Sequence, residues 1–464
     1  MSSTSGLVWF RRDLRLDDNP AWAAATSEHG QVTALFVVDP ALFDRASSRR
    51  VVRLLGDVAA LDAALSEHGG RLLVRVGDPR VVVPQEAGRL GVSAVHVNHD
   101  VTPYAAERDD AVRAALDAGA VEWVPEWGTL VHEPGHIRTN AGSLSQVFTP
   151  FFRVWERTPW TPWPTSGDAV LTNDPGDALP KIEGEYPVLD GEVGDAALPG
   201  ERGALARLDL AVARADTYDE DRNTPSLLGT SQLSIDLRFG TLSPRRVAQV
   251  VGESTAGRAA LVRQLAWRDW YAHMLIATPT LVEQPMKPQY AAIQWRQDDK
   301  GFEAWKNGRT GYPFVDAGMR QLRETGWMHN RVRMVTASFL VKNLLIDWRR
   351  GERYFRHVLL DADVSQNVGN WQWVAGTGPD ASPYNRVFNP ILQSQRFDAN
   401  GDYIRRWVPE LSSLDASAIH EPWATGPLEL AAAGIEIGVD YPEPIVDLAF
   451  SRARVLDAYG AVKR

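Results

Sequence analysis

Short apolar runs alternate with amphipathic stretches through the first third of the chain. Segments 7–10, 32–38, 71–76, 92–97 and 121–124 are short, rich in Val and Leu, and read as strands. Between them, Val51, Leu54, Leu55, Val58, Leu61 and Leu65 recur at helical spacing, and 105–116 has the same character. Apolar strands separated by helices imply a parallel sheet covered on both faces. The expectation is a doubly wound α/β domain over 1–127. Its first strand runs into Arg11-Arg12-Asp13-Leu14-Arg15 rather than a glycine-rich turn, so the usual dinucleotide fingerprint is missing.

The pattern changes after residue 127. Pro150, Pro159, Pro162, Pro164, Pro175, Pro180, Pro187 and Pro199 punctuate 128–203, which reads as a long surface connector with a helix at 149–157. From 204 onward strand signals fade. Segments 205–215, 244–251, 259–276, 311–323, 329–347 and 351–360 suit helices, giving an all-α domain over 204–464.

Composition sharpens this picture. The chain has 17 tryptophans and no cysteine in 464 residues, which excludes disulfides, thiolate metal sites, Fe–S clusters and a cysteine nucleophile. Redox work would fall to a bound cofactor or to aromatic side chains. The net charge is −10, yet 260–356 carries 16 Lys and Arg against 9 Asp and Glu, a local excess able to hold a polyanion or to be a solvated surface. The polar start, Met1 to Ser5, is not a secretory signal, and no apolar stretch is long enough to span a membrane; a cytoplasmic, monomeric protein is expected. No metal is expected either. Pro134 and Gly135 break the His132–His136 spacing, and Asp361 and Asp363 lack a third ligand nearby in sequence.

Four groups of residues could carry chemistry. In a helix from Gln366, Trp371 and Trp373 point to nearly opposite sides, one inward and one toward a cavity, unless both are core. Gln264, Trp267, Arg268 and Tyr271 share a helical face that suits an unstacked base or a flavin ring, or ordinary packing. Asn330 and Arg333 sit one turn apart beside Arg331. The turn Gly229-Thr230-Ser231-Gln232-Leu233-Ser234 offers hydroxyls and amides to a phosphate.

The opening Leu7-Val8-Trp9-Phe10-Arg11-Arg12-Asp13-Leu14-Arg15-Leu16-Asp17-Asp18-Asn19 resembles that of the photolyase/cryptochrome family. Further motifs follow in the family's order: Gly326-Trp327-Met328-His329-Asn330-Arg331, Leu344-Leu345-Ile346-Asp347-Trp348-Arg349, the segment 361–373, and Phe388-Asn389-Pro390. The resemblance implies an α/β antenna domain, a linker and a helical FAD domain, and within the family it is nearest the class I repairers of cyclobutane pyrimidine dimers.

It also implies roles. Tyr218, Thr230, Ser231, Gln232, Leu233, Ser234, Arg268, Asp361, Ala362, Asp363 and Asn367 would hold FAD, with Asn367 beside flavin N5 and Arg333 paired with a carboxylate such as Asp361. Trp371, Trp348 and Trp295 would form an electron-transfer chain. Trp267 and Trp373 would flank a flipped dimer, while Arg222, Arg331 and Gln393 would contact the UV-damaged DNA. Asn330 and Met334 match cyclobutane repairers. Gln264, where those enzymes carry glutamate, matches repairers of (6-4) photoproducts, and Gln232 replaces a common arginine. A (6-4) photolyase and a non-repairing blue-light receptor of the cryptochrome type are the alternatives. The stretch 99–109 resembles the lining of an 8-hydroxy-5-deazaflavin antenna site; methenyltetrahydrofolate or FMN are the other antennas considered.

Overall fold

The computed structural model describes residues 4–139 and 141–462; Met1–Ser3 of the polar start lie outside it. Contacts divide the chain into two compact units, residues 1–216, 231–279 and 360–365, and residues 217–230, 280–359 and 366–464.

The first unit is built on a parallel sheet. Strands β1 (Ser5–Phe10), β2 (Gln31–Val38), β3 (Leu72–Val76), β4 (Ala94–Asn98) and β5 (Glu122–Glu126) lie in the order β3-β2-β1-β4-β5. Each lies close to its expected position; β1, β2 and β4, buried on both faces, are written as continuous apolar runs, while the edge strand β5 is only half-buried. Leu7, Trp9, Leu35, Val37, Leu73, Val95 and Val97 form one core with Val83, Ala87, Val112 and Leu116 of the covering helices.

Those helices are α1 (Pro20–Glu28), α2 (Ser48–Glu67), α3 (Pro79–Leu90) and α4 (Pro103–Ala118). Periodicity reveals α2 and α4 but not the other two. In α1, Pro20, Ala21, Trp22, Ala23 and Ala25 are all buried, so it has no polar stripe; α3 contains Pro84. The connector is more structured than a surface loop. It forms the predicted helix α5 (Phe148–Trp155) and a short strand β6 (Val170–Leu171) parallel to β2. Beyond β6 it runs along β3: Arg71 N donates to Thr172 O, Val74 N to Pro175 O, and Asp177 N back to Val74 O. The unit is completed by α6 (Gly200–Ala213), α7 (Pro244–Val251) and α8 (Ala256–Ala277).

The second unit is helical. Its main elements are α9 (Pro313–Thr325), α10 (Asn330–Ser338), α11 (Trp348–Val358), α12 (Val364–Ala375, in this unit from Gln366), α13 (Pro390–Phe397) and α14 (Leu448–Ala461). One expectation is corrected here: 329–347 is not a single helix. After Ser338 the chain opens into a wide turn, Phe339–Asn343, where Leu344 N reaches Phe339 O at 2.9 Å, and Leu345 then takes φ +53°. The turn brings Lys342 and Asn343, both fully buried, into the interior.

Candidate functional site

In the first unit the strand order reverses between β1 and β4, and a crevice opens at their carboxyl ends, the usual ligand position in a doubly wound sheet. Arg11 and Arg12 enter it from the end of β1, His99 and Asp100 from the end of β4, and Arg268 and Asp363 line the rest. Asp13 is fully buried below. It accepts from Asn98 Nδ2 at 2.6 Å and from the Arg11 amide at 2.7 Å, fixing the strand ends against each other.

The crevice is rich in cations. Arg12 bridges Asp100, at 3.2 Å, and Asp363. Burial opposes charge on Asp363, yet the guanidiniums of Arg12, Arg268 and Arg238 hold it well below the usual carboxylate range. Arg238 donates to Ala362 O at 2.6 Å; burial first, then the charge of Arg12, lowers it to about 9. Arg268 is likewise lowered by burial, while its guanidinium donates to the carbonyls of Thr129 and Leu237. Three largely desolvated guanidiniums, Arg12, Arg238 and Arg268, thus face two carboxylates, Asp100 and Asp363. That excess fits an anionic group such as the diphosphate of FAD.

Other residues assigned to FAD lie nearby in sequence and structure. Ser234 Oγ donates to Asp361 Oδ2 at 2.7 Å, and Ser365 to Asp363 at 2.5 Å. Gln232 adopts φ +57°, a left-handed conformation disfavoured for this residue and characteristic of functional turns. On α8, Gln264, Trp267 and Arg268 form a half-buried face that ends at buried Tyr271, as their spacing requires. Gln264 Nε2 turns back to Ala260 O at 2.9 Å, leaving Oε1 as acceptor. Trp267 is stacked on Phe148, with ring centroids 3.6 Å apart and planes within 11°. Sequence reading missed this backing ring, although it lies in the helix correctly placed in the connector.

Along the stretch 99–109, Tyr104 donates to Asp39, Arg108 lies 4.8 Å over Trp9, and His99 packs on Trp127 at 4.4 Å.

In the second unit, Trp371 and Trp348 are buried and Trp295 is half-buried, a gradation from interior toward surface. Trp371 packs on Phe355 at 5.1 Å and Trp305 at 6.2 Å; Trp295 meets Tyr459 edge-on at 6.1 Å. Trp373 is half-buried, so the two tryptophans of α12 differ as expected. Gln372 between them is buried, its Nε2 donating to Leu281 O and Gln284 O.

Asn367 shows a defined polarity. Its Nδ2 donates to Glu352 O at 3.0 Å and to Glu352 Oε1 at 2.9 Å. Both amide hydrogens are therefore used, and Oδ1 is left as the accepting end. Burial raises the Glu352 carboxyl, with Arg356 at 3.0 Å opposing. Arg333 Nε donates to Met328 O at 2.7 Å.

The DNA-assigned residues converge only in part. Arg331 Nη2 donates to Asn223 at 2.7 Å and stacks at 4.3 Å over Phe397, and its Nη1 and Asn330 Nδ2 both approach Met334 Sδ. Burial, then the charges of Arg396, Arg222 and Arg386, lowers the Arg331 guanidinium. Arg222, Arg386 and Arg396 therefore lie near enough for their charges to act on Arg331. Arg386 and Arg396 were not singled out by sequence; the only signal was their flanking of Phe388-Asn389-Pro390. Tyr218 lies 5.7 Å beneath Arg222, and half-buried Gln393 sits on α13 beside Asn389, whose side chain caps that helix. Thr230 is half-buried.

The comparisons agree across the whole chain. Residues 6–167 match the DNA photolyase family model, and 261–461 match the FAD binding domain of DNA photolyase. A deoxyribodipyrimidine photo-lyase of Streptomyces griseus is 41% identical over 98% of this chain and 99% of its own. One of Agrobacterium fabrum is 39% identical over 99% of this chain and 98% of its own. Among solved structures, a class III photolyase from Agrobacterium tumefaciens superposes with TM-score 0.90 at 38% identity, covering 100% of this chain and 98% of that one. A cryptochrome from Synechocystis gives TM-score 0.89 at 31% identity, covering 99% and 100%.

Proposed function

Because the chain belongs to the DNA photolyase family, we propose that it repairs cyclobutane pyrimidine dimers in DNA with light, as a deoxyribodipyrimidine photo-lyase. The observation that carries this reading is near-complete coverage by curated relatives of that name at about 40% identity. No helix among the described residues is long and apolar enough to cross a membrane. A cytoplasmic, monomeric protein is part of the proposal.

Reduced FAD, when bound, would supply the light-driven electron that opens the dimer's cyclobutane ring and is then returned. The protein binds, orients and excludes water. Arg12, Arg238 and Arg268 would neutralise the diphosphate, while Tyr218, Thr230–Ser234, Asp361, Ala362, Asp363 and Asn367 would complete the cofactor's contacts. Asn367 Oδ1, left as the accepting end by the bonds of Nδ2 to Glu352, would accept a hydrogen bond from a reduced flavin. Trp371, Trp348 and Trp295 would carry electrons inward from the surface; the chain has no cysteine, and indole rings serve as the relay.

On the DNA, Arg222, Arg331 and Gln393, joined by Arg386 and Arg396, hold phosphates. Trp267 and Trp373 flank the dimer, whose weakened pairing lowers the cost of leaving the stack. Asn330 and Met334 favour cyclobutane dimers, and Gln264 can hydrogen-bond a pyrimidine edge without supplying a proton. The antenna, with 8-hydroxy-5-deazaflavin as first choice, is assigned to the stretch 99–109, and chromatography of released chromophores identifies it.

Illumination of oligonucleotides carrying either lesion is the decisive assay. Light-dependent loss of the cyclobutane dimer is expected. Repair of only the (6-4) lesion, or of neither, overturns the assignment.

A further inference from the structure

Repair makes no use of a polar cluster near the amino ends of the first unit's strands. Among the described residues, Glu28, His29 and His96 are the one set of three histidine or acidic side chains whose ligand atoms gather within 4.8 Å. Glu28 is the last residue of α1, His29 follows it, and His96 lies in β4.

The two imidazoles are poised closely. Their Nε2 atoms are 3.0 Å apart, with ring planes at 78°. His29 Nδ1 contacts Thr4 Oγ1 at 3.1 Å, which directs Nε2 toward His96. Gly6 in β1 makes room: a Cβ there would stand 2.9 Å from His29 Cγ and 3.0 Å from its Nε2. A larger residue would push the ring off the sheet.

Two facing ring nitrogens can share one proton, whereas a cation uses both lone pairs. With metal–nitrogen bonds of about 2.05 Å, nitrogens 3.0 Å apart subtend about 94° at the metal, and parting the rings by about 0.3 Å opens this to the tetrahedral angle of zinc-class sites. Glu28 is exposed and can rotate its carboxylate inward.

We propose that Glu28, His29 and His96 bind a divalent transition cation of the zinc class, with water completing the shell. The ion would tie the end of α1 to β4. This inference is independent of the repair reading.

The test is calorimetric titration of zinc chloride into the full, tag-free, chelator-stripped chain, with cobalt(II) absorption as a second probe. One equivalent is expected, together with cobalt d–d bands. His29→Ala, at a half-buried position, weakens zinc binding by about 100-fold or more. Glu28→Gln and the ring-orienting Thr4→Val each weaken it by about 10-fold. Melting in chelator establishes that the variants fold. No binding by the parent chain, or affinity unchanged in His29→Ala or Glu28→Gln, overturns the proposal.

Discussion

Replacing Gly351 by alanine turns the packing of Trp371 into a measurable quantity. Gly351 lies within α11, where alanine would ordinarily add about 0.5–1 kcal/mol of stability. Here an added Cβ would collide with Trp371 Cη2, stand 2.5 Å from Cζ3 of the same ring and 2.6 Å from Leu340 Cδ2. Ordinary carbon contacts begin near 3.5 Å, so ring and leucine would each have to yield by about 1 Å. Overpacking of this kind costs about 1–3 kcal/mol, which outweighs the helix gain. Gly351→Ala should therefore lose about 1–2 kcal/mol in a urea midpoint measurement at constant m-value. Flash photolysis of the oxidised flavoprotein should show slower photoreduction, since the displaced indole is the proposed inner relay. A variant that is more stable than the parent, with unchanged photoreduction, refutes the packing argument.

Other expectations follow from neighbouring features. Trp371→Phe should suppress photoreduction yet leave repair by enzyme reduced in advance close to normal, as measured by pre-steady-state absorption and lesion assay. Phe148→Leu removes the ring stacked on Trp267; it should cost about 0.5–1.5 kcal/mol of aromatic pairing and weaken binding of dimer-containing DNA in a fluorescence titration. Lys342 is buried, donates to Tyr384 O at 3.0 Å, and burial lowers it to about 7. Its folded value lies below its unfolded one, so the folded state releases this proton first: stability is reduced fully below pH 7 and recovers as pH rises from 7 toward the unfolded value near 10.5. Urea midpoints against pH should show that rise in the parent chain and lose it in Lys342→Met.

What could be read in advance depended on whether the physics was local. The five main strands and α2 were legible because burial leaves a one-dimensional trace in apolar spacing. Helix α1 was not, since a helix buried nearly all round lacks that trace, and Pro84 concealed α3. Nothing in 329–347 announces the wide turn at Phe339–Asn343, which depends on tertiary packing around buried Lys342 and Asn343. The chemistry divides in the same way. Gln264, Trp267 and Arg268 were grouped by helical spacing alone. Arg238 joins Arg12 only through folding, Arg386 and Arg396 gather at Arg331 across sequence gaps, and the link from Glu352 to Asn367 carries no motif.

The proline-rich connector leaves one further consequence. Strand β3 ends the sheet, and such a border exposes amides able to recruit another chain. By threading Thr172, Pro175 and Asp177 along it, the connector occupies those bonding positions with a segment whose prolines cannot propagate a ladder. The segment thereby acts as a selvedge: it closes the β3 border of the sheet to self-association, and a chain cleaved or shortened between 170 and 177 would be expected to aggregate before its repair chemistry failed.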